Sequence, residues 1–221
     1  MRYLLTALIA VLLVSAPSFG QSKPPSDPNA TRAADLVELT KLDPTIKLDI
    51  RYAGTNNFLG KPVYKEPRAF LQRPAAESLV VAHRELARSG YGLLIHDGYR
   101  PWAITKLFWD MTSGYQREFV ADPKTGSKHN RGAAVDLTIY DLATGAAVQM
   151  PGEYDEMSPR SYPDYRGGSP EARERRDLLR RVMERQGFTV EPNEWWHFNY
   201  QDWTQYPILD IPFSSISPAG R

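Results

Sequence analysis

Two stretches of the chain concentrate the residue types that do chemistry. Ser127-Lys128-His129-Asn130-Arg131-Gly132-Ala133-Ala134-Val135-Asp136 is answered far downstream by Glu194-Trp195-Trp196-His197. Together they offer two imidazoles, one carboxylate to share a metal with them, and one carboxylate to spare. Three nitrogen or oxygen ligands with an open fourth position suit a catalytic zinc, whereas structural zinc closes its shell, usually with cysteine. The chain has no cysteine. The pattern predicts one zinc ion per chain, held by His129, Asp136 and His197, in a hydrolase whose metal-bound water is activated by Glu194.

Each residue also has an ordinary reading. Taken singly, His129 is a loop histidine and Asp136 a strand aspartate balancing a nearby arginine. Glu194 and His197 are three apart, so on an ideal strand they face opposite sides. The site therefore requires Glu194 to lie in the turn before the strand. Arg100, in the turn Asp97-Gly98-Tyr99-Arg100-Pro101, has two open roles: stabilising a developing oxyanion, or an ion pair with Asp97 or another acid. His83, mid-helix among charged residues, reads as solvated. His96, at a strand end, is a neighbour of the site at most.

The elements that must position these groups follow from periodicity. Ile46 to Tyr52 alternates apolar and polar residues and predicts a half-buried strand. Ala75, Leu79, Ala82 and Leu86 follow helical spacing up to the stop Ser89-Gly90. Leu93-Leu94-Ile95 predicts a short buried strand, and Pro101 opens a second helix carrying Ile104, Leu107 and Phe108. From Ala134 to Tyr140 the pattern is again a strand, with Val135, Leu137 and Ile139 on one face and Asp136 on the other. Ser158 to Gly168 reads as a surface loop. Pro170 to Gln186 is an amphipathic helix with Leu178, Leu179, Val182 and Met183 inward. Phe188 to Val190 and Trp196 to Tyr200 are strands joined by Glu191-Pro192-Asn193. Three helices and short strands without regular βαβ alternation predict an α+β single domain: a small, mainly antiparallel sheet flanked by helices, with the zinc site in a cleft.

The ends and the composition bound the rest. Arg2 followed by the apolar run Leu4 to Val14 reads as a signal peptide over residues 1–20, with cleavage after Gly20; a retained anchor is the alternative. Residues 21–34 form a proline-rich leader, 35–213 the catalytic domain and 214–221 a C-terminal tail. The expected location is secreted or periplasmic, with no transmembrane span in the mature chain. Lysine and arginine total 27 against 26 acidic residues, a balance that argues against a nucleic-acid partner. About two hundred residues can bury one sizeable core without disulfides.

The chain resembles the D-alanyl-D-alanine dipeptidases, the vancomycin-resistance type and its relatives. The resemblance rests on Asp49-Ile50-Arg51-Tyr52-Ala53, Asn57 to Val63, Asp97 to Pro101, Ser127 to Thr138 and Glu194-Trp195-Trp196-His197-Phe198, and runs over roughly residues 35–205. It implies His129, Asp136 and His197 as zinc ligands, Glu194 as general base and Arg100 as oxyanion stabiliser. It further implies that Asp155 pairs with the ammonium of a small dipeptide substrate and that Ser127 contacts the substrate; the segment around Asp155 matches less tightly. The predicted export departs from cytoplasmic resistance-type members and favours salvage or turnover of wall fragments. A peptidoglycan D,D-carboxypeptidase or endopeptidase of the same superfamily, or a non-catalytic cell-wall binding module, are the competing readings.

Overall fold

A computed structural model describes residues 23–216; the segment read as a signal peptide lies outside the described residues, as does most of the C-terminal tail. Along the chain run β1 (Leu36–Glu38), α1 (Leu39–Leu42), β2 (Lys47–Leu48), β3 (Phe70–Gln72), α2 (Arg73–Ala87), β4 (Tyr91–Asp97), α3 (Trp102–Met111), β5 (Ala134–Asp141), α4 (Pro170–Arg185), β6 (Phe188–Glu191) and β7 (Glu194–Tyr200). Strands β1 and β3 form a two-stranded antiparallel sheet. The main sheet has five strands in the order β2-β4-β5-β7-β6, antiparallel throughout except for the β2–β4 pair. This is the expected α+β domain with a mainly antiparallel sheet. The β1–β3 pair is an addition that the sequence pattern did not suggest.

Cross-strand register sorts the two faces of the main sheet. Leu93 pairs with Ile139, Ile95 with Leu137, and Val135 with Phe198. All six are fully buried, and α2 and α4 pack over the same sheet. The helices supply the predicted residues: Ala75, Leu79, Ala82 and Leu86 from α2, and Leu179, Val182 and Met183 from α4, are buried, with Leu178 partly so. Removing several fully buried side chains of this size from water is the main stabilising term, about 1.5–3 kcal/mol each. On the opposite face Asp136 lies directly across from His197, Ala134 across from Asn199, and Asp97 across from Asp136. A row of polar side chains from three adjacent strands thus lines one side of the sheet centre.

Two expectations are corrected. The strand predicted from Ile46 to Tyr52 pairs only at Lys47–Leu48, and Arg51–Ala53 is a 3-10 turn. Ile46, Ile50 and Tyr52 are nonetheless buried, so the alternation recorded burial and not ladder pairing. His83 is not solvated. It is buried between α2 and β4, where Nδ1 accepts from the Leu93 N–H at 3.0 Å and Nε2 meets Thr45 Oγ1 at 2.9 Å. Within the predicted surface loop 158–168, a 3-10 turn at Pro159–Ser161 buries Ser161 completely.

Candidate active site

His129 reaches the sheet from the turn that feeds β5. Residues His129–Arg131 form a 3-10 turn that ends at Gly132, whose φ is 65° and whose missing Cβ would lie 2.4 Å from Leu36 Cδ2. The left-handed backbone favours glycine there, and any Cβ would also displace the end of the Leu36 side chain. The turn brings His129 Nε2 to 3.2 Å from Asp136 Oδ1, while the β5–β7 register brings His197 Nδ1 to 3.0 Å from the same oxygen. The two ring nitrogens are 3.1 Å apart.

These three atoms present lone pairs to one another. His129 Nδ1 lies 2.7 Å from the Gly98 carbonyl, to which it can only donate, so Nε2 is the unprotonated nitrogen. His197 Nε2 lies 2.8 Å from Asn199 Oδ1, so Nδ1 is left bare. Asp136 Oδ1 is buried and accepts no hydrogen bond. Three mutually facing acceptors repel unless a cation sits among them. Their separations of 3.0–3.2 Å approach the about 3.3 Å between ligands of a tetrahedral ion with bonds near 2.0 Å. The donor set thus fits a divalent metal with nitrogen and oxygen ligands, and the same three residues form a compact metal-competent cluster.

The electrostatics agree. Burial opposes ionisation of Asp136, but the His129 and His197 imidazoles pull its carboxyl well below the usual range. Burial would lower His197, but the Asp136 carboxylate against its ring, with the charges of Glu194 and Glu191, raises it to about 9. A proton on His197 is thus the substitute for positive charge that the cluster demands.

Glu194 comes to the cluster by a route the sequence did not reveal. It is the first residue of β7, not a turn residue, and its Oε2 stands 3.4 Å from His197 Nδ1. The ladder between β6 and β7 is irregular between Val190 and Glu191, and this break in alternation lets residues three apart share a side. Burial pushes its carboxyl up to about 7; His197 opposes this, and the charges of Asp136 and Glu191 add to it. A carboxyl poised there can accept and return a proton near neutral pH.

Of the two roles left open for Arg100, the structure shows the ion pair. Its Nε and Nη2 donate to Asp97 Oδ2 at 2.9 and 2.8 Å, and Nη2 lies 3.8 Å from Asp136 Oδ2. The ion pair with Asp97 is therefore real, and it holds the guanidinium on the wall of the cavity that contains the cluster. Ser127, on the same wall, accepts the His129 N–H through Oγ at 3.2 Å. Asp155 also lines the cavity, at a φ of 58° that a non-glycine residue rarely adopts. The Tyr52 hydroxyl, within 3.1 Å of both its oxygens, is its side-chain hydrogen-bond partner. Burial, with the charges of Asp136 and Glu194, raises its carboxyl well above the ordinary value. Such a group gains most from a cation brought in by a ligand.

Several participants escaped the sequence reading. Tyr154 donates to Asp136 Oδ2 at 3.0 Å, which leaves Oδ1 for the cluster. Tyr52 and Asn199 hold Asp155 and His197 as described, whereas Asp97 is the ion-pair partner that the sequence offered for Arg100. Tyr154 adjoins Asp155 and Asn199 follows His197 by two, a period-two signal that could have flagged Asn199; Tyr52 carried none beyond its place in the matched Asp49 to Ala53 segment. The cavity is about 230 Å³, below the ~300–1,000 Å³ of sites for drug-sized ligands.

Comparison with known proteins follows the same residues. The sequence profile of the D-ala-D-ala dipeptidase peptidases matches residues 32–215. The D-alanyl-D-alanine dipeptidase of Escherichia coli K12 is 35% identical over 188 residues, covering 85% of this chain and 96% of that protein. The enzyme of the same name from Enterococcus faecium is 38% identical over 190 residues, covering 76% of this chain and 92% of its own length.

Proposed function

Since this chain belongs to the D-ala-D-ala dipeptidase family of peptidases, we propose that it hydrolyses the D-alanyl-D-alanine dipeptide using a zinc ion held by His129, Asp136 and His197. The observation that carries the reading is the meeting, in one small cavity, of the three-lone-pair cluster and the half-buried Asp155 carboxyl. Held by these three residues, a zinc ion would supply Lewis acidity and lower the pKa of the attacking water.

The chain's own residues supply the rest. Asp155 binds the substrate ammonium, and that pairing fixes the dipeptide's register. Arg100, already oriented by Asp97, faces the carbonyl oxygen as negative charge develops on it. Glu194 takes the proton of the attacking water and delivers it to the leaving amine. Ser127 contributes a wall and a local hydrogen bond. Trp196, beside the cluster, excludes bulk water, so the charges act in a low-dielectric site. The export expected from residues 1–20 suits an enzyme that recycles wall fragments outside the cytoplasm.

Release of D-alanine from D-alanyl-D-alanine, from its N-acetylated form and from longer wall peptides tests the proposal. The free dipeptide should be cleaved, and the blocked and longer substrates poorly, because they leave the half-buried Asp155 without its partner. Asp155→Asn should erode that discrimination together with dipeptide turnover. Efficient cleavage of blocked or long peptides by the unaltered protein would replace the dipeptidase reading with the carboxypeptidase or endopeptidase one.

A further inference from the structure

We infer that Glu191 and Asn199 are positioning residues that fix the tautomer of His197 and so present its Nδ1 to the metal. This rests on the metal-site reading above. The observations form a chain. Lys128 Nζ donates to Glu191 Oε2 at 2.7 Å, Asn199 Nδ2 donates to the same oxygen at 2.7 Å, and Asn199 Oδ1 lies 2.8 Å from His197 Nε2.

The direction of this chain follows from what each group is able to do. An asparagine amide has a donor end and an acceptor end of nearly the same shape, so packing alone does not orient it. An ionised Glu191 accepts only. It therefore selects the Asn199 NH₂, and the Asn199 carbonyl is left facing His197. That carbonyl in turn accepts only, so it requires a proton on Nε2 and strips Nδ1 of one. Because Asn199 sits opposite Ala134 while His197 sits opposite Asp136, the two neighbours on one strand face hold this geometry through the β5–β7 register. Lys128 completes the chain from the turn before His129, so the feeding loop of one ligand anchors the orientation of the other. His129 has no such side-chain device: its Nδ1 is held by the Gly98 backbone carbonyl.

Glu191 also adds its charge to Glu194, so zinc affinity and the His197 ring tautomer, not turnover, are the readouts that isolate the positioning role. Partners of this kind on a metal-bound imidazole typically contribute ten- to a hundred-fold in metal affinity.

Zinc affinity, measured by chelator competition, tests the inference together with the ¹H–¹⁵N long-range spectrum of the zinc-loaded His197 ring. Asn199→Leu should weaken zinc binding roughly ten- to a hundred-fold. Asn199→Asp keeps an acceptor beside Nε2 and should retain the Nε2–H signature, although its second oxygen then opposes Glu191. Glu191→Ala should also weaken zinc binding and give a mixed ring signature, because the freed amide can turn its NH₂ toward Nε2. Should Asn199→Leu fail to fold, Glu191→Ala decides the matter. Unaltered affinity and tautomer in Glu191→Ala, or loss of the Nε2–H signature in Asn199→Asp, would overturn the inference. No zinc binding by the unaltered protein would overturn the metal site itself, and this inference with it.

Discussion

Asp97→Asn probes the least exposed charge in the site. Asp97 is 1% exposed, and its two oxygens divide their work. Oδ1 accepts from the Tyr64 hydroxyl and the Gly98 N–H, each at 2.9 Å, while Oδ2 takes both N–H groups of Arg100. Asparagine has only one acceptor oxygen. If that oxygen stays with Tyr64 and Gly98, the amide NH₂ faces the guanidinium, donor against donor. If the amide turns over, Tyr64 and Gly98 lose their acceptor instead. Either way Arg100, which cannot shed its proton, remains buried without its closest counterion. Removing one partner of a buried pair in this way costs about 3–5 kcal/mol, or a fall in melting temperature of roughly 6–20 °C for a domain of this size. The nearest other carboxylate is Asp136 at 3.8 Å, so the guanidinium should turn toward a metal ligand and weaken zinc binding as well. Thermal and urea unfolding, with zinc titration and turnover on the dipeptide, measure both effects. A variant within about 1 kcal/mol of the unaltered protein, with unchanged zinc affinity, would refute the argument that this pair is desolvated and singly compensated.

Three further outcomes follow from the same geometry. Glu194→Gln should keep its zinc and lose roughly 10²–10⁴ in kcat, because it removes proton transfer without removing a ligand; loss of metal would instead move Glu194 into the ligand set. His129→Ala should lose zinc and activity together, from about one zinc per chain by metal analysis, and full occupancy in that variant would displace the site. His83 predicts a pH effect on stability away from the site. Its Nδ1 accepts from Leu93 N–H, burial lowers its pKa below 6.5, and the unfolded chain therefore takes up a proton more readily than the folded one. Stability from this group is complete above about pH 6.5 and declines as pH falls below it. Urea midpoints at pH 7.5 and 5.5 should fall more for the unaltered protein than for His83→Gln, and equal falls would contradict this.

How much was legible in the chain depended on the range of the interaction. The helical spacing of Ala75, Leu79, Ala82 and Leu86 and the alternation through Val135, Leu137 and Ile139 gave their elements directly, because burial repeats with the local backbone period. The ligand types and the close spacing of His129 and Asp136 were also local facts, since a turn around Gly132 can return the chain over a few residues. Beyond that range the pattern faltered. Ile46 to Tyr52 alternates because Ile46, Ile50 and Tyr52 are buried and Leu48 partly so, yet only two of its residues pair with β4. His83 stands among charged neighbours in sequence and still accepts a backbone N–H from the next strand.

The amino-acid order by itself determined the inventory of the site: two imidazoles, a ligand carboxylate, a spare carboxylate and an arginine, placed on a loop, on strands and at a turn. Tertiary structure decided how they meet. The β5–β7 register sets Asp136 opposite His197, the irregular β6–β7 ladder turns Glu194 to the same side, and Tyr154, Asn199 and Gly98 fix which atom of each ligand faces inward. Local periodicity reports which residues are buried. Partner, tautomer and carboxylate oxygen are chosen by donors and acceptors that only the folded sheet brings within hydrogen-bonding distance.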